Sequence, residues 1–303
     1  MTRPTVTAVV PTHDRPELLR RAIRRIREQR YDGLVECVVV FDKSDPDPSL
    51  EVSGDRPVRV LRNDRTPGLA GGRNTGILAA TTDYVGFCDD DDEWLPGKVE
   101  AQMRALEALP AAHAATCGVE IRYGDRTTER IPEPERLTVE GFVEDRMPEV
   151  GSNTLLFERR WLIDEVGLVD EKLPGSYGED YDLVLRSARL APFAVATAPH
   201  AVIWWHKQSF FADRWRMIDD ALEYLLDKHP EFSASPRGYA RIRGQQAVAR
   251  AALGERRRAF RTIREVARAN PLDRRIPLAT AIALGLLRPD RAINLAHRFG
   301  RGL

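Results

Sequence analysis

Two stretches near the N-terminus are almost continuously apolar and β-branched, Thr5 to Val10 and Val35 to Phe41, and between them Leu18, Leu19, Ala22, Ile23 and Ile26 recur at helical spacing. The pattern predicts a strand, a helix and a second strand. It then repeats: Val58 to Leu61 reads as a strand, Gly72 to Ala80 as a helix, and Tyr84 to Cys88 as a strand that runs into four aspartates. Apolar strands alternating with helices predict an α/β fold, a mainly parallel sheet covered by helices, with ligands gathering beyond the carboxyl ends of the strands. From about residue 110 the rhythm loosens. Ala114 to Ile121 and Asn153 to Phe157 read as strands, Glu179 to Leu190 as a helix, and Phe193 to Ala196 and Ala201 to Trp205 as two short strands. Residues 124 to 150 form an irregular connection long enough to be functional. From Asp213 the pattern is helical. The repeated pieces Ala252-Leu253-Gly254 and Ala283-Leu284-Gly285 suggest helical hairpins, so the predicted division is residues 1–235 and an all-helical appendage, 236–303.

Composition narrows the class. The chain has 303 residues, 43% hydrophobic and 30% charged, which excludes a disordered or collagen-like chain. Its longest weakly polar run, Ile276 to Leu287, contains Pro277 and is too short to cross a bilayer. The beginning of the chain has no apolar core of a secretory signal, and Cys37, Cys88 and Cys117 form neither an even set nor a CxxC pair. A cytoplasmic protein, peripheral to the membrane at most, is expected. The 46 basic and 46 acidic side chains balance overall but not locally. From Arg237 onward there are sixteen arginines against Glu255, Glu265, Asp273 and Asp290, about +12 by formal count.

Neither GxxxxGK[ST] nor GxGxxG is present, so simple kinase and dehydrogenase readings fall. The strongest local signal is Asp89-Asp90-Asp91-Asp92-Glu93-Trp94, at the end of an apolar strand. Adjacent carboxylates there need a counter-charge, of which a divalent cation is the simplest. Mg²⁺ or Mn²⁺ takes one or two protein carboxylates together with substrate phosphate oxygens. The alternative is a solvated acidic loop ahead of a helix beginning near Gly97.

Pro11-Thr12-His13-Asp14-Arg15 follows the first strand, Phe41-Asp42-Lys43-Ser44 the second, and Gly71-Gly72-Arg73-Asn74 precedes the acidic strand. This ordered set, VVPTHDR, FDKS, GLAGGRNTG and DDDDEW, resembles the inverting, nucleotide-sugar-dependent family-2 glycosyltransferases of the GT-A fold. Glu179-Asp180-Tyr181-Asp182-Leu183 with Arg186 resembles the same family's late acidic element, so the resemblance covers residues 5 to about 210. It implies that Pro11, Thr12, Asp14 and Arg15 border the nucleoside and that Asp42 lies against the base. Phe41 replaces the usual first aspartate of that segment, which leaves uridine the leading nucleoside, with thymidine and guanosine open. By the same resemblance Gly71, Arg73 and Asn74 serve the diphosphate or ribose, and Asp89 and Asp90 the nucleotide sugar. Asp89 and Asp91 form the D-x-D pair, Asp91 holding the metal and Asp89 the ribose or the metal's water shell, with His206 a further metal ligand. Ser152 and Asn153 line the sugar pocket, Asp180 is the general base, and Glu179 is an accessory touching sugar or acceptor.

Bland roles stand beside these: Asp14 as a helix N-cap, Gly71 to Asn74 as a plain helix start, and Glu179, Asp180 and Asp182 as first-turn acids. The expected reaction is transfer of a sugar from a nucleoside-diphosphate sugar, UDP foremost, to an acceptor hydroxyl. A polysaccharide, lipid-linked sugar, natural product or peptide could carry that hydroxyl. A nucleotidyltransferase or a non-catalytic sugar-nucleotide-binding scaffold are the other classes. The basic tail suits a homo-oligomer or an anionic membrane; nucleic acid ranks last, because no aromatic stacking set accompanies the charge.

Overall fold

A computed structural model describes residues 3–205 and 214–289. The chain begins β1 (Val6–Thr12), α1 (Pro16–Arg27), β2 (Val35–Phe41), β3 (Val58–Arg62), α2 (Leu69–Ala79) and β4 (Tyr84–Phe87). β1 pairs in parallel with β2 and β4, and β2 in parallel with β3. Every residue of β1 and β2 is buried, which is why their sequences run apolar rather than alternating: central parallel strands are covered on both faces. One cover is α1, which turns Leu19, Ala22, Ile23 and Ile26 inward and leaves Arg20, Arg24 and Arg27 exposed. Pro16 opens this helix with no side-chain cap. The capping role considered for Asp14 is not realised: that residue has a left-handed backbone (φ 52°) and an exposed side chain.

Next come β5 (Glu93–Trp94), α3 (Lys98–Ala108), β6 (Ala114–Tyr123), β7 (Arg126–Arg130), α4 (Val139–Glu144), β8 (Leu156–Glu158), the single turn α5 (Arg159–Trp161), α6 (Glu179–Ala188) and β9 (Phe193–Trp204). The sheet order is β3-β2-β1-β4-β8-β6-β9-β5, with β7 on β6. The parallel half predicted from the sequence is therefore extended by antiparallel pairings of β8 with β4 and β6, and of β5 with β9. Three local expectations change. The two strands expected between 193 and 205 are one, because a register shift opposite Cys117 to Val119 absorbs the irregularity between them. The strand expected from Asn153 starts at Leu156, since Ser152–Thr154 winds into a 3₁₀ turn. The irregular stretch from 124 to 150 holds β7 and α4. Trp94 is wholly buried, donating from Nε1 to the Phe87 carbonyl (3.0 Å) with Lys98 Nζ 4.0 Å from its ring centre; it packs the core.

The chain divides into two compact units. One comprises the described residues up to Val139 with Met147–Glu171 and Glu179–Trp205; the other comprises Glu140–Arg146, Lys172–Gly178 and the described residues from 214 on. The division expected near residue 235 thus falls inside the second unit, which contains α7 (Trp215–Lys228), α8 (Glu231–Ala234), α9 (Pro236–Ala252), α10 (Arg256–Ala269) and α11 (Arg275–Ala283). The reason is a polar network joining α7 to α9 and α10. Arg250 donates to Asp219 (3.0 Å), Glu223 (3.1 Å) and Thr262 (2.7 Å), and Gln246 donates to Asp219 (3.0 Å). Ala247, Val248, Ala251, Ala259, Ile263, Ala279, Ile282 and Ala283 form the apolar core beside it. The two similar sequence pieces are helix stops. Gly254 and Gly285 adopt φ of 75° and 77°, and the next residue's amide reaches back five residues, Glu255 to the Arg250 carbonyl and Leu286 to that of Ala281. No helix among the described residues is long and apolar enough to cross a membrane.

The helix expected from Gly72 starts three residues earlier, so Gly71 lies in its first turn, where an added Cβ would sit 1.8 Å from the Thr66 carbonyl oxygen. Gly71→Ala is expected to lower the unfolding free energy by about 1–3 kcal/mol, because the obstruction is backbone and not a movable side chain. Urea unfolding checks this, and an unchanged midpoint would show that the 63–68 loop yields freely.

Candidate active site

β4 delivers the four aspartates to the carboxyl edge of the parallel strands, and their side chains alternate. Asp89 and Asp91 keep 28% and 22% of their side-chain surface exposed, whereas Asp90 and Asp92 are buried. Asp90 accepts from Thr12 Oγ1 (2.8 Å) and Arg15 Nη1 (3.1 Å). Burial outweighs both donors and pushes its carboxyl up to about 6. Asp92 accepts from the Trp204 amide (2.9 Å) and from Asn153 Nδ2; its burial, with Asp91 and Asp89 nearby, raises its pKa well above the usual carboxylate range. The outer pair carries guanidinium partners. Arg15 Nη1 lies 2.7 Å from Asp91 Oδ2, and Arg73 Nη2 donates to Asp89 Oδ1 (2.7 Å). Arginines therefore supply part of the counter-charge that the sequence assigned to a cation. Glu93, next in the chain, is held below its ordinary pKa despite burial by Arg25 (2.7 Å) and Trp204 Nε1 (3.1 Å).

Arg73 sits beneath this edge with 2% of its side chain exposed and joins Asp89 to Glu179 at the start of α6. Burial alone would lower its pKa, but Asp89, Glu179 and Asp180 together raise it further. Glu179 shifts upward too, because its own burial and the neighbouring Asp180 outweigh Arg73. The two directions are compatible: one guanidinium is shared among several carboxylates, and a fully buried acid remains costly to ionise. Arg73 thus holds carboxylates in place where the sequence put it against a diphosphate, and Glu179 supports Arg73 where it was expected to touch sugar or acceptor.

Asp180, next to Glu179, is partly exposed. Its Oδ1 accepts from the Tyr181 amide (2.7 Å) and its Oδ2 lies 3.4 Å from the Ser152 amide. Ser152 also donates from Oγ to Asp89 Oδ2 (3.1 Å), so one residue touches both Asp89 and Asp180. Asn153 takes the Asp89 amide on Oδ1 (2.6 Å) and donates to Asp89 Oδ2 (3.3 Å). Both residues, expected to line a sugar pocket, are buried and brace the aspartates.

The remaining predicted residues divide between rim and support. Asp14 and Arg15 are at the rim, with 72% and 39% of their side chains exposed. Pro11 and Thr12 are buried, Thr12 holding Asp90. Asp42 accepts from Asn63 Nδ2 (2.8 Å) and the Gly68 amide (3.0 Å), pinning the loop ahead of α2, and His13 Nδ1 lies 2.7 Å from its carbonyl. Asn74 is 1% exposed and bonds Val169 and Glu171. His206 lies outside the described residues. Glu171, which nothing in the sequence singled out, is drawn down to about 2, against its own desolvation, by Asn74, Arg65 and Thr66. Gly151, which precedes the Ser152-Asn153 pair, lies close to the same acid: a Cβ there would come within 3.2 Å of Asp180 Oδ2.

Asp89 and Asp91 offer the hard oxygen donors that Mg²⁺ or Mn²⁺ prefers. Among the described residues no three His, Cys, Asp or Glu side chains gather into a group that could hold a metal ion.

Removing the shared guanidinium isolates two acids. Arg73→Met is expected to cost about 3–5 kcal/mol at neutral pH. Glu179, already shifted upward, would rise further without its cation. A raised acid favours folding fully only below its unfolded value of 4.5 and loses that contribution as pH climbs through the folded value. The deficit of the variant relative to wild type should therefore shrink as pH falls toward that value. Urea unfolding at mildly alkaline and mildly acidic pH measures it, and a deficit independent of pH would show that Glu179 is ionised regardless of Arg73.

The family model for glycosyl transferase family 2 matches residues 7–161, which span β1 through the acidic run but end before Asp180. Succinoglycan biosynthesis protein ExoO of Rhizobium meliloti (strain 1021) is 31% identical over 216 residues, covering 67% of this chain and 61% of the relative. A GalNAc(5)-diNAcBac-PP-undecaprenol β-1,3-glucosyltransferase of Campylobacter jejuni is 34% identical over 122 residues, 39% of each chain. The chain spans 61% of the length of the first two curated relatives it matches. Among solved structures, residues 1–349 of S. aureus TarS in complex with UDP-GlcNAc superpose with a TM-score of 0.59 at 15% identity, covering 98% of this chain and 92% of that one. At that identity the likeness is one of fold, and the fold is GT-A. With a parallel sheet edge that carries the acidic run and a family match across half its length, the chain belongs to glycosyl transferase family 2.

Proposed function

We propose that the protein is an inverting glycosyltransferase that moves a sugar from a nucleoside-diphosphate sugar, uridine being the leading nucleoside, to the hydroxyl of a lipid-linked or polysaccharide sugar. The observation that carries this reading is the position of Ser152, bonded to Asp89 on one side and 3.4 Å from Asp180 on the other. Two carboxylates are thereby held on either side of one residue, which supports reading Asp89 as serving the donor and Asp180 as the base. The glucosyltransferase of Campylobacter jejuni and WfgD of Escherichia coli, 28% identical over 103 residues, are named for undecaprenol diphosphate-linked acceptors, which supports the acceptor class.

In the proposed reaction the acceptor hydroxyl gives its proton to the Asp180 carboxylate while its oxygen forms a bond to the anomeric carbon. The bond from that carbon to the β-phosphate oxygen breaks, and the nucleoside diphosphate leaves with the electron pair. Attack from the face opposite the leaving group inverts the anomeric centre and needs no covalent enzyme intermediate. Asp91, with Asp89, would hold Mg²⁺ or Mn²⁺, whose charge offsets that developing on the diphosphate. Arg15, part-exposed against Asp90 and Asp91, brings a guanidinium to the same rim. Arg73 and Glu179 position Asp89 and the start of α6 without reaching the reacting atoms.

Two substitutions test the assignment. Asp180→Asn preserves size and hydrogen bonding at the helix start but cannot accept the proton. Transfer should fall at least about a hundredfold, with donor affinity and melting temperature nearly unchanged. Transfer at the wild-type rate would remove Asp180 as base. Asp91→Asn should abolish the Mn²⁺-dependent thermal stabilisation by nucleoside diphosphate while leaving the ligand-free protein at least as stable. Pyrophosphate exchange in place of nucleoside diphosphate release would point to a nucleotidyltransferase, and binding without turnover to a scaffold.

A further inference from the structure

α10 buries Ala259, Thr262, Ile263 and Val266, and its opposite side is a single line of arginines. Arg257, Arg261, Arg264 and Arg268 follow one another at intervals of four, three and four residues, so they share one face along about 16 Å of helix. All four are exposed, and among the described residues none has an ion-pair or hydrogen-bond partner for its side chain. Arg258, one residue along, is by contrast paired with Glu255 (2.6 Å) and Asp219 (3.5 Å). Like charges at this spacing repel, and the chain carries as many acids as bases. The unpaired row is therefore a local arrangement that an external anion would relieve.

The shape of the row limits what that anion is. The charges spread along a line and do not converge, which suits many anionic groups on an extended surface better than one small ion. Apolar exposure decides between extended surfaces. The three most exposed large apolar side chains among the described residues are Leu272 (91%), Leu286 (78%) and Leu284 (55%), all in the segment that follows α10. Exposed leucines in the segment that follows an arginine row match the boundary of a bilayer, where headgroups meet acyl chains. A nucleic acid would instead be met by exposed aromatic side chains, and among the described residues none of the strongly exposed large apolar side chains is aromatic.

We propose that the arginine row of α10, together with Leu272, Leu284 and Leu286, is a docking surface for an anionic phospholipid bilayer. It requires nothing of the reaction proposed above, and its test involves no turnover. The full chain is sedimented with sucrose-loaded vesicles of phosphatidylcholine, with and without phosphatidylglycerol, over a salt series. Binding is expected on the anionic vesicles only and should weaken steeply as salt is added. Replacing Arg257, Arg261, Arg264 and Arg268 together by Gln should lower the partition constant at least about a hundredfold, since each basic residue near such a surface contributes about fivefold. These side chains are exposed, unpartnered and mutually repelling, so urea unfolding should show the variant at least as stable as wild type. Replacing Leu272, Leu284 and Leu286 by Ser should weaken vesicle binding while preserving its salt dependence. Equal binding by wild type and the Gln variant, absence of binding to anionic vesicles, or displacement from vesicles by an equal phosphate concentration of duplex DNA would each overturn the proposal, the last in favour of nucleic acid.

Discussion

A buried guanidinium organises the acidic edge of this protein. Arg73 lies inside the α/β unit with 2% of its side chain exposed, where an unpaired charge would cost several kcal/mol. It is tolerated because α2 brings it to Asp89 after β4 and to Glu179 at the start of α6, elements far apart in sequence. The packing of three elements and the pairing of these charges are thus one condition. Gly71, two residues earlier, lets the first turn of α2 approach the Thr66 carbonyl, and Asp42 holds the same loop through Asn63 and Gly68.

The same economy shapes the acidic run. Four carboxylates in a row would repel one another if all faced one way. Alternation sends Asp90 and Asp92 inward, where burial favours their neutral forms, and leaves Asp89 and Asp91 facing out with arginine partners. The outward-facing charge is thereby halved. Ser152 and Asn153 brace the arrangement from the 3₁₀ turn ahead of β8, and the Ser152 amide ties it to Asp180.

The helical unit handles charge in two ways. Inside it, Arg250 is saturated by Asp219, Glu223 and Thr262 and works as a polar core element. On the outer face of α10, Arg257, Arg261, Arg264 and Arg268 have no such partners among the described residues. Arginine content alone therefore says little; position on the helix determines whether a guanidinium braces α7 against α9 or faces solvent.

Much of the framework was legible in the sequence because it rests on short-range periodicity. The apolar runs of β1 and β2, the 3.6-residue spacing of α1 and the helix-stopping Gly254 and Gly285 are local features, and the structure follows them closely. The acidic run and the late Glu-Asp pair were visible as motifs in the sequence, and the structure joins them through Arg73. What the sequence could not determine was which polar residues face a ligand and which support those that do. Arg73, Asn74, Thr12, Ser152, Asn153 and Glu179 look like ligand contacts in a motif, yet each is buried against a partner tens of residues away. The merging of two short strands into β9 and the assignment of α7 to the helical unit have the same origin. Hydrogen-bond partners, burial and charge pairing depend on separations that local pattern does not encode, so only the tertiary structure could decide them.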